Sequence, residues 1–209
     1  MTTLRSYVVR YDSGFAPNPF YGYCTLATCV PIIRKAAQIG DWIVGCGSND
    51  VTVRRGGHIV YAMRVEEILS FRQYDADLRF AQKKPYRNGS RKQSCGDNIY
   101  YRDEADQIWH QRDSFHTNKN GSKHDRHLEI DTGVDRVLIS QDFVYFGGEG
   151  PSFPDYLRND IGQSICKSGR GHARFDDLSL IANFDKWIRE LCVNGFQGVP
   201  YEWISLREK

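Results

Sequence analysis

The sequence predicts an α+β fold, and two patterns carry that prediction. Two β-prone runs, Trp42–Val44 and His58–Val65, flank a polar, glycine-containing connection with a basic tip. This arrangement is typical of a β-hairpin with a long connection. From residue 176 to residue 194, apolar residues recur at helical spacing after a capping aspartate. We therefore expect a central hairpin and a C-terminal helix.

Length and composition indicate a globular protein that forms one domain. The chain has 209 residues, of which 40% are hydrophobic and 26% are charged. No apolar run approaches the length of a membrane span, and the N-terminus lacks the apolar centre of a signal peptide. The net charge of +2 does not by itself indicate a polyanionic partner. We predict a cytoplasmic protein with no membrane partner and no cofactor.

The N-terminal part is expected to contain a strand, an aromatic loop and a short helix before the hairpin. Residues 6–12, SYVVRYD, alternate between two faces as a first strand. The loop that follows carries four aromatic side chains between Phe15 and Tyr23, and such rings need a surface on which to pack. Pro31 suits the first turn of a helix, and Gly40 ends that helix.

Residues 82–127 are predicted to form a polar and basic insertion. Hydrophobic periodicity fades there, and the segment 79–127 contains eleven Lys or Arg against six Asp or Glu. Structureless loops of this length are uncommon in compact domains, so the segment is either functional or mobile. Beyond it, Val137–Ser140 and Asp142–Phe146 are expected to be strands, before a glycine-rich break.

The residues around the hairpin resemble a known group of proteins. Gly40-Asp41-Trp42-Ile43-Val44, a polar loop and then Gly57–Val65 resemble the core signature of the PUA-like superfamily, which includes ASCH, EVE and YTH domains. RYDSGFAPNPFYGYCTLATC, PIIRKAAQIGDWIVG and IVYAMRVEEILSF are more specifically similar to the nucleotide modification associated domain 2 family. That family is found in phage and bacterial contexts concerned with modified bases.

The resemblance implies a small, strongly bent PUA-like β-barrel with flanking helices and a pocket for a base or nucleotide. From it, together with the length and the apolar patterns, we predict a single PUA-like domain over residues 1–209, with the insertion at 82–127 and the C-terminal helix at 176–194. The resemblance also implies a role in a bacterial or phage-infected host cell. It transfers no catalytic mechanism to particular residues, and the basic excursion at 49–57 is a place where this chain departs from its relatives.

The first candidate site is a base-binding cage on the aromatic loop and the hairpin. Stacking on an aromatic ring stabilises a base by about 1–3 kcal/mol whatever its identity, whereas an amide or carboxylate distinguishes donors from acceptors. For Trp42, a position in the core of a central strand is the alternative. The predicted stacking residues are Phe20, Tyr21, Tyr23 and Trp42, and the predicted edge-reading residues are Asn18 and Asp41.

The second candidate site is a set of basic side chains that would bind phosphate. Glycine on both sides of Arg170 lets backbone amides approach an anion while the guanidinium binds it in a forked geometry. Solvated surface charges are the alternative interpretation. The candidate residues are Arg34, Lys35, Arg54, Arg55 and Arg170.

A nucleophilic thiol is the third candidate. The six cysteines contain no CxxC pair, so we expect free thiols in a reducing compartment. A thiol becomes reactive beside a base, whereas most free cysteines are buried and inert. The candidate thiols are Cys24 and Cys29, and the candidate bases are His127 and His172. Asp41 is a further catalytic candidate.

A metal site is the weakest of these hypotheses. The pair His124 and His127 could bind a metal from one helical turn, but no cysteine pair or HExxH motif accompanies it. We therefore predict no metal. The residues considered were His110, His116, His124, His127 and Asp131.

Three functions remain open from the sequence. The leading hypothesis is a binding module that recognises a modified nucleobase or nucleotide, in DNA or free. The alternative is an enzyme, a hydrolase or transferase, that acts on a modified nucleotide or base, because PUA-like folds include both readers and catalysts. A protein-interaction component of a phage–host conflict is the third. The oligomeric state stays open.

Overall fold

The chain divides into two compact units. The computed structural model describes residues 2–103, 105 and 107–205. Two compact units can belong to one domain, so the single domain predicted over residues 1–209 stays a prediction. The first unit comprises residues 1–13, 38–66 and 140–209, and the second comprises residues 14–37 and 67–139.

The strands and helices are short. In chain order, the strands are β1 (Leu4–Val9), β2 (Cys24–Leu26), β3 (Trp42–Gly47), β4 (Ile59–Arg64), β5 (Glu67–Leu69), β6 (Tyr100–Arg102), β7 (Trp109–Gln111), β8 (Val137–Ser140), β9 (Phe143–Tyr145), β10 (His172–Phe175) and β11 (Gly195–Phe196). The α-helices are α1 (Pro31–Ala36), α2 (Phe71–Ala76), α3 (Arg91–Ser94), α4 (Asp125–Thr132), α5 (Leu178–Glu190) and α6 (Tyr201–Ser205). Two 3₁₀ helices cover Leu78–Lys83 and Gly147–Glu149. None of the helices in the described ranges has both the length and the apolar character that crossing a membrane requires.

A six-stranded mixed sheet forms the first unit, in the order β10-β1-β3-β4-β9-β11. β3 and β4 are antiparallel, with Trp42 opposite Arg64, so the predicted central hairpin is confirmed. The register shifts between Gly45 and Cys46. A Cβ on Gly45 would lie 2.4 Å from ring atoms of Tyr61, so glycine is needed for this close approach.

The sheet is open in the part of the chain that the structure describes. Its outer strands are β10, which pairs with β1, and β11, which contributes two residues and pairs with β9. The predicted combination of helices and strands is therefore confirmed, but no closed barrel is found. The strongly bent PUA-like barrel is not confirmed, because β10 and β11 lie at opposite edges of the sheet and do not pair.

Helix α5 covers the sheet of the first unit with its apolar side. The Asp177 carboxylate caps it by accepting hydrogen bonds from the backbone N–H groups of Ser179 and Leu180, at 2.9 and 3.2 Å. Phe184 is fully buried, with its ring centroid 5.5 Å from that of Trp42. Burying such an aromatic side chain contributes about 1.5–3 kcal/mol. The predicted C-terminal helix is thus confirmed, although it ends at Glu190, before the predicted residue 194.

The second unit has its own core, built mainly from aromatic side chains. It contains a three-stranded sheet in the order β2-β8-β5 and a separate β6-β7 hairpin. Ile99 and Tyr100, which lie in the predicted polar insertion, are fully buried with Phe71 and Phe80. The insertion therefore contributes to this core. Its strands β6 and β7 have three residues each, too few to produce a periodic pattern in the sequence.

Candidate functional site

Three loops of the first unit meet at one end of the strands, where β1 and β3 end and β10 begins. β1 and β3 are parallel, with Val9 opposite Gly47, so the residues that follow the two strands lie side by side at the same end of the sheet. β10 runs antiparallel to β1, with Tyr7 opposite His172, so the residues that precede β10 lie there as well. This end of the sheet brings together residues 10–11, 48–53 and 169–171.

Two clefts open at this end of the sheet, and both are lined by Arg10 and Asp50. We call the two clefts together the Arg10 cleft. Their volumes are about 550 and 310 Å³, within the size range of small-molecule sites. The residues that line the larger include Arg10, Tyr11, Asp50, Thr52, Tyr201 and Glu202. Those that line the smaller include Arg10, Ser48, Asn49, Asp50, Gly169 and Arg170.

Arg10 is held at the junction of the two clefts by Asp50. One guanidinium nitrogen of Arg10 lies 3.2 Å from Asp50 Oδ2, and the guanidinium lies 5.2 Å from the ring centroid of Tyr11. Asp50 also accepts hydrogen bonds from the backbone N–H and the hydroxyl of Thr52, at 3.0 and 2.8 Å. These hydrogen bonds from Thr52, with the charge of Arg10, lower the pKa of Asp50. The carboxylate thus stays ionised and orients a largely exposed guanidinium.

Arg170 enters the cleft from a loop whose shape depends on glycine. Gly169 and Gly171 have φ values of 72° and 80°, in the left-handed region that favours glycine. A Cβ at either position would meet no atom within 4 Å, so backbone conformation rather than space requires these glycines. The Arg170 side chain between them is exposed to solvent.

The other predicted phosphate ligands of the first unit have different surroundings. The Arg55 guanidinium donates to the carbonyl of Gly150 at 2.8 Å, and the Arg54 guanidinium donates to the carbonyl of Val51 at 3.0 Å. The Arg54 contact lies within the loop after β3, and the Arg55 contact joins that loop to Gly150. Arg170 is therefore the predicted phosphate ligand that lines the Arg10 cleft together with Arg10.

The hairpin residues predicted to bind a base are buried in the first unit. Trp42 is 2% exposed and packs edge-on against Phe184 in the core. Asp41 accepts hydrogen bonds from the backbone N–H groups of Thr3, at 2.7 Å, and Gln38, at 3.0 Å. These contacts fix the turn before β3 and join it to the start of β1. A ligand role for Trp42 or Asp41 stays a prediction, and both residues have structural roles.

Two of the predicted cage residues of the second unit, Asn18 and Tyr23, bind a buried lysine. Lys83 donates three hydrogen bonds, to the backbone and side-chain oxygens of Asn18 and to the carbonyl of Tyr23, at 2.7–3.0 Å. Burial lowers the pKa of Lys83 to about 8. Phe20 is buried, whereas Tyr21 and Tyr23 are partly exposed. Asn18 thus bonds to protein groups, and two of the tyrosines retain access to solvent.

Arg34, predicted to bind phosphate, is fully buried in the second unit. Its guanidinium donates to the carbonyls of Cys29, Val134, Asp131 and Arg136, at 2.7–3.0 Å. Four of its five N–H donors are therefore directed at the backbone. Arg34 holds the turn before α1 against the end of α4, and its predicted contact with phosphate stays untested.

The predicted thiol and its predicted bases have unequal access. Cys24 is fully buried, and burial raises the pKa of its thiol. His127 is partly exposed, and burial together with the neighbouring His116 lowers its pKa. His172 is the first residue of β10 and is partly buried. Cys24 and His127 lie in the second unit and His172 in the first.

A metal centre finds no support in the described ranges. No group of three or more His, Cys, Asp or Glu side chains in residues 2–103, 105 and 107–205 is arranged to hold a metal ion. His124 and His127 stack with their ring centroids 4.2 Å apart, and His116 lies 4.4 Å from His127. These histidines contact one another through their rings.

Sequence reasoning missed Arg10 and Tyr11, which line the Arg10 cleft. Both belong to the predicted first strand at residues 6–12, but β1 ends at Val9. The next two residues therefore leave the sheet, and Arg10 and Tyr11 are exposed. The signal that was available is the charged and aromatic pair immediately after a run of buried strand residues.

Comparison with known proteins gives one clear relationship. The family model for nucleotide modification associated domain 2 matches residues 1–207. No curated protein and no solved structure matches the chain. Because the match covers nearly the whole sequence, the family relationship does not depend on a short motif. The chain belongs to the nucleotide modification associated domain 2 family.

Proposed function

We propose that the protein recognises a nucleotide, free or in nucleic acid, through the Arg10 cleft. The observation that carries the proposal is the pair of exposed guanidinium groups, Arg10 and Arg170, on one cleft beside the exposed ring of Tyr11. The family's association with nucleotide modification agrees with this ligand class. A base that carries a modification is the proposed target.

The phosphate group would bind between Arg10 and Arg170. Guanidinium groups bind phosphate oxygens through paired, charge-assisted hydrogen bonds. The exposed ion pair of Arg10 with Asp50 contributes little to folding stability, because water competes for both groups. Arg10 can therefore rearrange toward a phosphate at little cost to the fold.

The base would lie against Tyr11, whose side chain is 69% exposed. Stacking would hold any base, so selection must come from polar groups in the same cleft. Asn49 and Thr52 line it and offer amide and hydroxyl groups that both donate and accept hydrogen bonds. The larger cleft leaves space for an added group on the base.

The proposal keeps one predicted ligand and adds others. It retains Arg170, and it replaces the buried Trp42 by Tyr11 as the stacking residue. The finer proposal that the first unit is a PUA-like fold rests on the β3-β4 hairpin and its irregularity after Gly45, which bends a strand. An experimental structure that leaves β10 and β11 far apart would contradict a closed barrel.

The binding test compares modified and unmodified ligands. We expect 5-hydroxymethyldeoxycytidine monophosphate, or an oligonucleotide that contains it, to bind more tightly than the unmodified form in titration calorimetry at low salt. Arg10→Ala and Arg170→Ala should each weaken binding about tenfold or more, because each removes a charge-assisted contact of about 1.5–3 kcal/mol. Affinity should fall as salt rises.

Arg54→Ala is the matched control, since Arg54 is an exposed arginine in the same region that does not line the Arg10 cleft. It should leave affinity within about twofold of the wild type, because it removes the same charge as Arg10→Ala but no side chain that lines the cleft. Equal loss of binding in Arg54→Ala and Arg10→Ala would indicate a general charge effect. Absence of binding to every nucleotide and oligonucleotide at low salt would refute the proposal.

An enzyme that acts on a modified nucleotide or base is the second candidate function. One observation favours it: a cysteine, a histidine and an aspartate lie within hydrogen-bonding distance of one another in the second unit.

A further inference from the structure

The second unit contains a linked group of three side chains, Cys29, His116 and Asp131. Cys29 Sγ lies 3.4 Å from His116 Nε2, and His116 Nδ1 lies 2.8 Å from Asp131 Oδ2. The backbone N–H of Cys29 donates to Asp131 Oδ1 at 2.8 Å. The aspartate thus contacts the histidine through one oxygen and the cysteine backbone through the other. This is the order of contacts that nucleophilic centres use: nucleophile, base, orienting group.

Cys29 lies on a strained turn between a strand and a helix. β2 ends at Leu26 and α1 begins at Pro31. Between them Cys29 has φ 59° and Val30 has φ 34°, values that residues with side chains rarely adopt. Each such residue costs about 1–3 kcal/mol and persists only where the surroundings impose it. Here a thiol is held at the sharp bend of a strand–turn–helix, a geometry known from nucleophile turns of hydrolases.

Buried contacts impose this conformation on Cys29. The fully buried guanidinium of Arg34 donates to the Cys29 carbonyl at 3.0 Å, while Asp131 accepts from its N–H. Both backbone polar groups of the strained residue are therefore fixed by charged partners.

Asp131 and His116 have complementary electrostatics. Burial alone would lower the pKa of His116, but its hydrogen bonds to Asp131 and Cys29 outweigh burial and raise that pKa to about 9. Asp131 is 1% exposed, and hydrogen bonds from His116 and Tyr100, with the charge of Arg34, hold its pKa below the usual value despite burial. At neutral pH the pair is an imidazolium and a carboxylate.

Solvent reaches the cysteine and the histidine but not the aspartate. Cys29 is partly exposed, and the His116 side chain is 15% exposed, whereas that of Asp131 is 2% exposed. Phe15 packs edge-on against the His116 imidazole, with ring centroids 4.8 Å apart. The cysteine and the histidine are therefore partly accessible to solvent, whereas the orienting carboxylate is buried.

We infer that Cys29 and His116, with Asp131 as the positioning residue, form the catalytic centre of a thiol-dependent acyl hydrolase. The substrate class is a compound with an amide or ester carbonyl. The inference does not depend on nucleotide binding at the Arg10 cleft. It would add a reaction to the nucleotide recognition proposed for the Arg10 cleft, and it names the reaction class of the second candidate function.

The reaction has two balanced halves. The reaction starts with the Cys29 proton on His116: Cys29 Sγ attacks the carbonyl carbon as a thiolate, and the His116 imidazolium gives the Nε2 proton to the departing amine or alcohol as its bond to carbon breaks. Water then attacks the thioester, His116 takes a proton from the water, and the carbon–sulfur bond breaks. Cys29 leaves as the thiolate, His116 keeps the proton taken from water, and the acid is released, which restores the starting state. No group is oxidised or reduced.

The test uses p-nitrophenyl acetate with the full chain. We expect acetylation of Cys29, identified by peptide mass spectrometry, to outpace acetylation of the exposed Cys192 in the same wild-type molecules. Cys29→Ala should abolish the fast phase of nitrophenol release. His116→Asn should slow Cys29 acetylation about a hundredfold, the lower end of the usual contribution of general acid–base catalysis.

Asp131→Asn tests the positioning residue. It should lower the rate constant at saturating p-nitrophenyl acetate and leave the half-saturating concentration unchanged, since Asp131 acts through His116 and does not contact the substrate. His124→Asn is the matched histidine control, because asparagine retains the cap that His124 provides to α4. It should change the acetylation rate by less than twofold.

Three outcomes would overturn the inference. Acetylation of Cys192 before Cys29 in the wild type would do so, and this comparison does not depend on any variant folding. An unchanged Cys29 rate in folded His116→Asn would reduce the Cys29–His116 contact to a structural one. A His124→Asn effect equal to that of His116→Asn would indicate disturbance of the histidine cluster rather than loss of a base.

Discussion

Two polar clusters in the second unit each contain a cysteine, and they differ in access and in hydrogen bonding. Cys24 lies with Lys83, Asn18 and Asp97 in a cluster whose members are all fully buried. Cys29 lies with His116 and Asp131 in a cluster that is open to solvent on the cysteine side. The first cluster surrounds a cation with protein oxygens, whereas the second places a cation beside sulfur.

The difference appears in the direction of the pKa shifts. Burial lowers the pKa of Lys83 to about 8, and the nearby charge of Asp97 only partly opposes it. For His116, hydrogen bonds to an ionised carboxylate and to sulfur overcome burial and raise the pKa to about 9. Burial disfavours the charged form of Lys83, but its three hydrogen bonds join separate loops, which suits a structural role. A cluster that keeps a cation beside a partly exposed cysteine is suited to supplying a proton during a reaction.

The largest expected effect concerns the buried lysine. Lys83→Met should destabilise the protein by about 2 kcal/mol or more in urea unfolding, because it removes the lysine donor from the side-chain oxygen of Asn18 and the carbonyl of Tyr23, each at a cost of about 1–3 kcal/mol. The carbonyl of Asn18 keeps its hydrogen bond from the Thr25 N–H. The neighbouring Lys84→Met is the control, since Lys84 makes a partly exposed ion pair with Asp75. It should cost less than about 1 kcal/mol. Similar losses in both variants would contradict a structural role for the Lys83 cluster.

The pH dependence of stability should separate the two clusters. His116 has a folded pKa of about 9, above its ordinary value of 6.5, so its stabilising contribution is complete below about pH 6.5 and is lost as pH rises through 9. Lys83 has a folded pKa of about 8, below 10.5, so its destabilising contribution is complete below pH 8 and is relieved toward 10.5.

Between pH 6.5 and 8, only the His116 contribution changes appreciably among these two groups. Over that range the free energy of unfolding of His116→Asn should decline less than that of the wild type. The expected difference is on the order of 1–2 kcal/mol, from about 1.4 kcal/mol per pH unit for one proton. If the free energies of unfolding of the wild type and His116→Asn change in parallel from pH 6.5 to 8, the proposed electrostatic difference between the His116 and Lys83 clusters is contradicted.

The smallest expected effect concerns the hydroxyl of Tyr100. It donates to Asp131 Oδ2 at 2.8 Å, the oxygen that also contacts His116. Tyr100→Phe should cost about 0.5–1.5 kcal/mol of stability through loss of one buried hydrogen bond. Because His116 and the Cys29 N–H still hold Asp131, acetylation of Cys29 should persist. Loss of Cys29 reactivity with unchanged stability would show that Tyr100 has a larger part in the centre.

The sequence was sufficient to predict the elements whose patterns are long. The β3-β4 hairpin and α5 follow from runs of β-prone residues and from helical spacing, and both are present. The open sheet was missed because the resemblance implied a barrel, while closure depends on which edge strands pair. The three-residue strands of the second unit are shorter than the pattern that would reveal them.

Residue types alone singled out the three residues of the candidate centre but did not predict that they lie together. Cys29 was considered as a thiol, and His116 and Asp131 as metal ligands, so each residue was singled out for a different chemistry. Their association depends on contacts across 87 and 102 positions of sequence, which no local pattern reports. Likewise, Arg10 was assigned to a strand, and its role depends on β1 ending at Val9.

Cysteine labelling tests the contrast between the two clusters most directly. Native protein at neutral pH is treated with limiting iodoacetamide, and the modified fraction of each cysteine is read by peptide mass spectrometry over time. We expect Cys29 to be alkylated first and Cys24 to stay unmodified until the protein is unfolded, because the Cys24 thiol is fully buried. Alkylation of Cys24 as fast as Cys29, or protection of Cys29 equal to that of Cys24, would contradict the account.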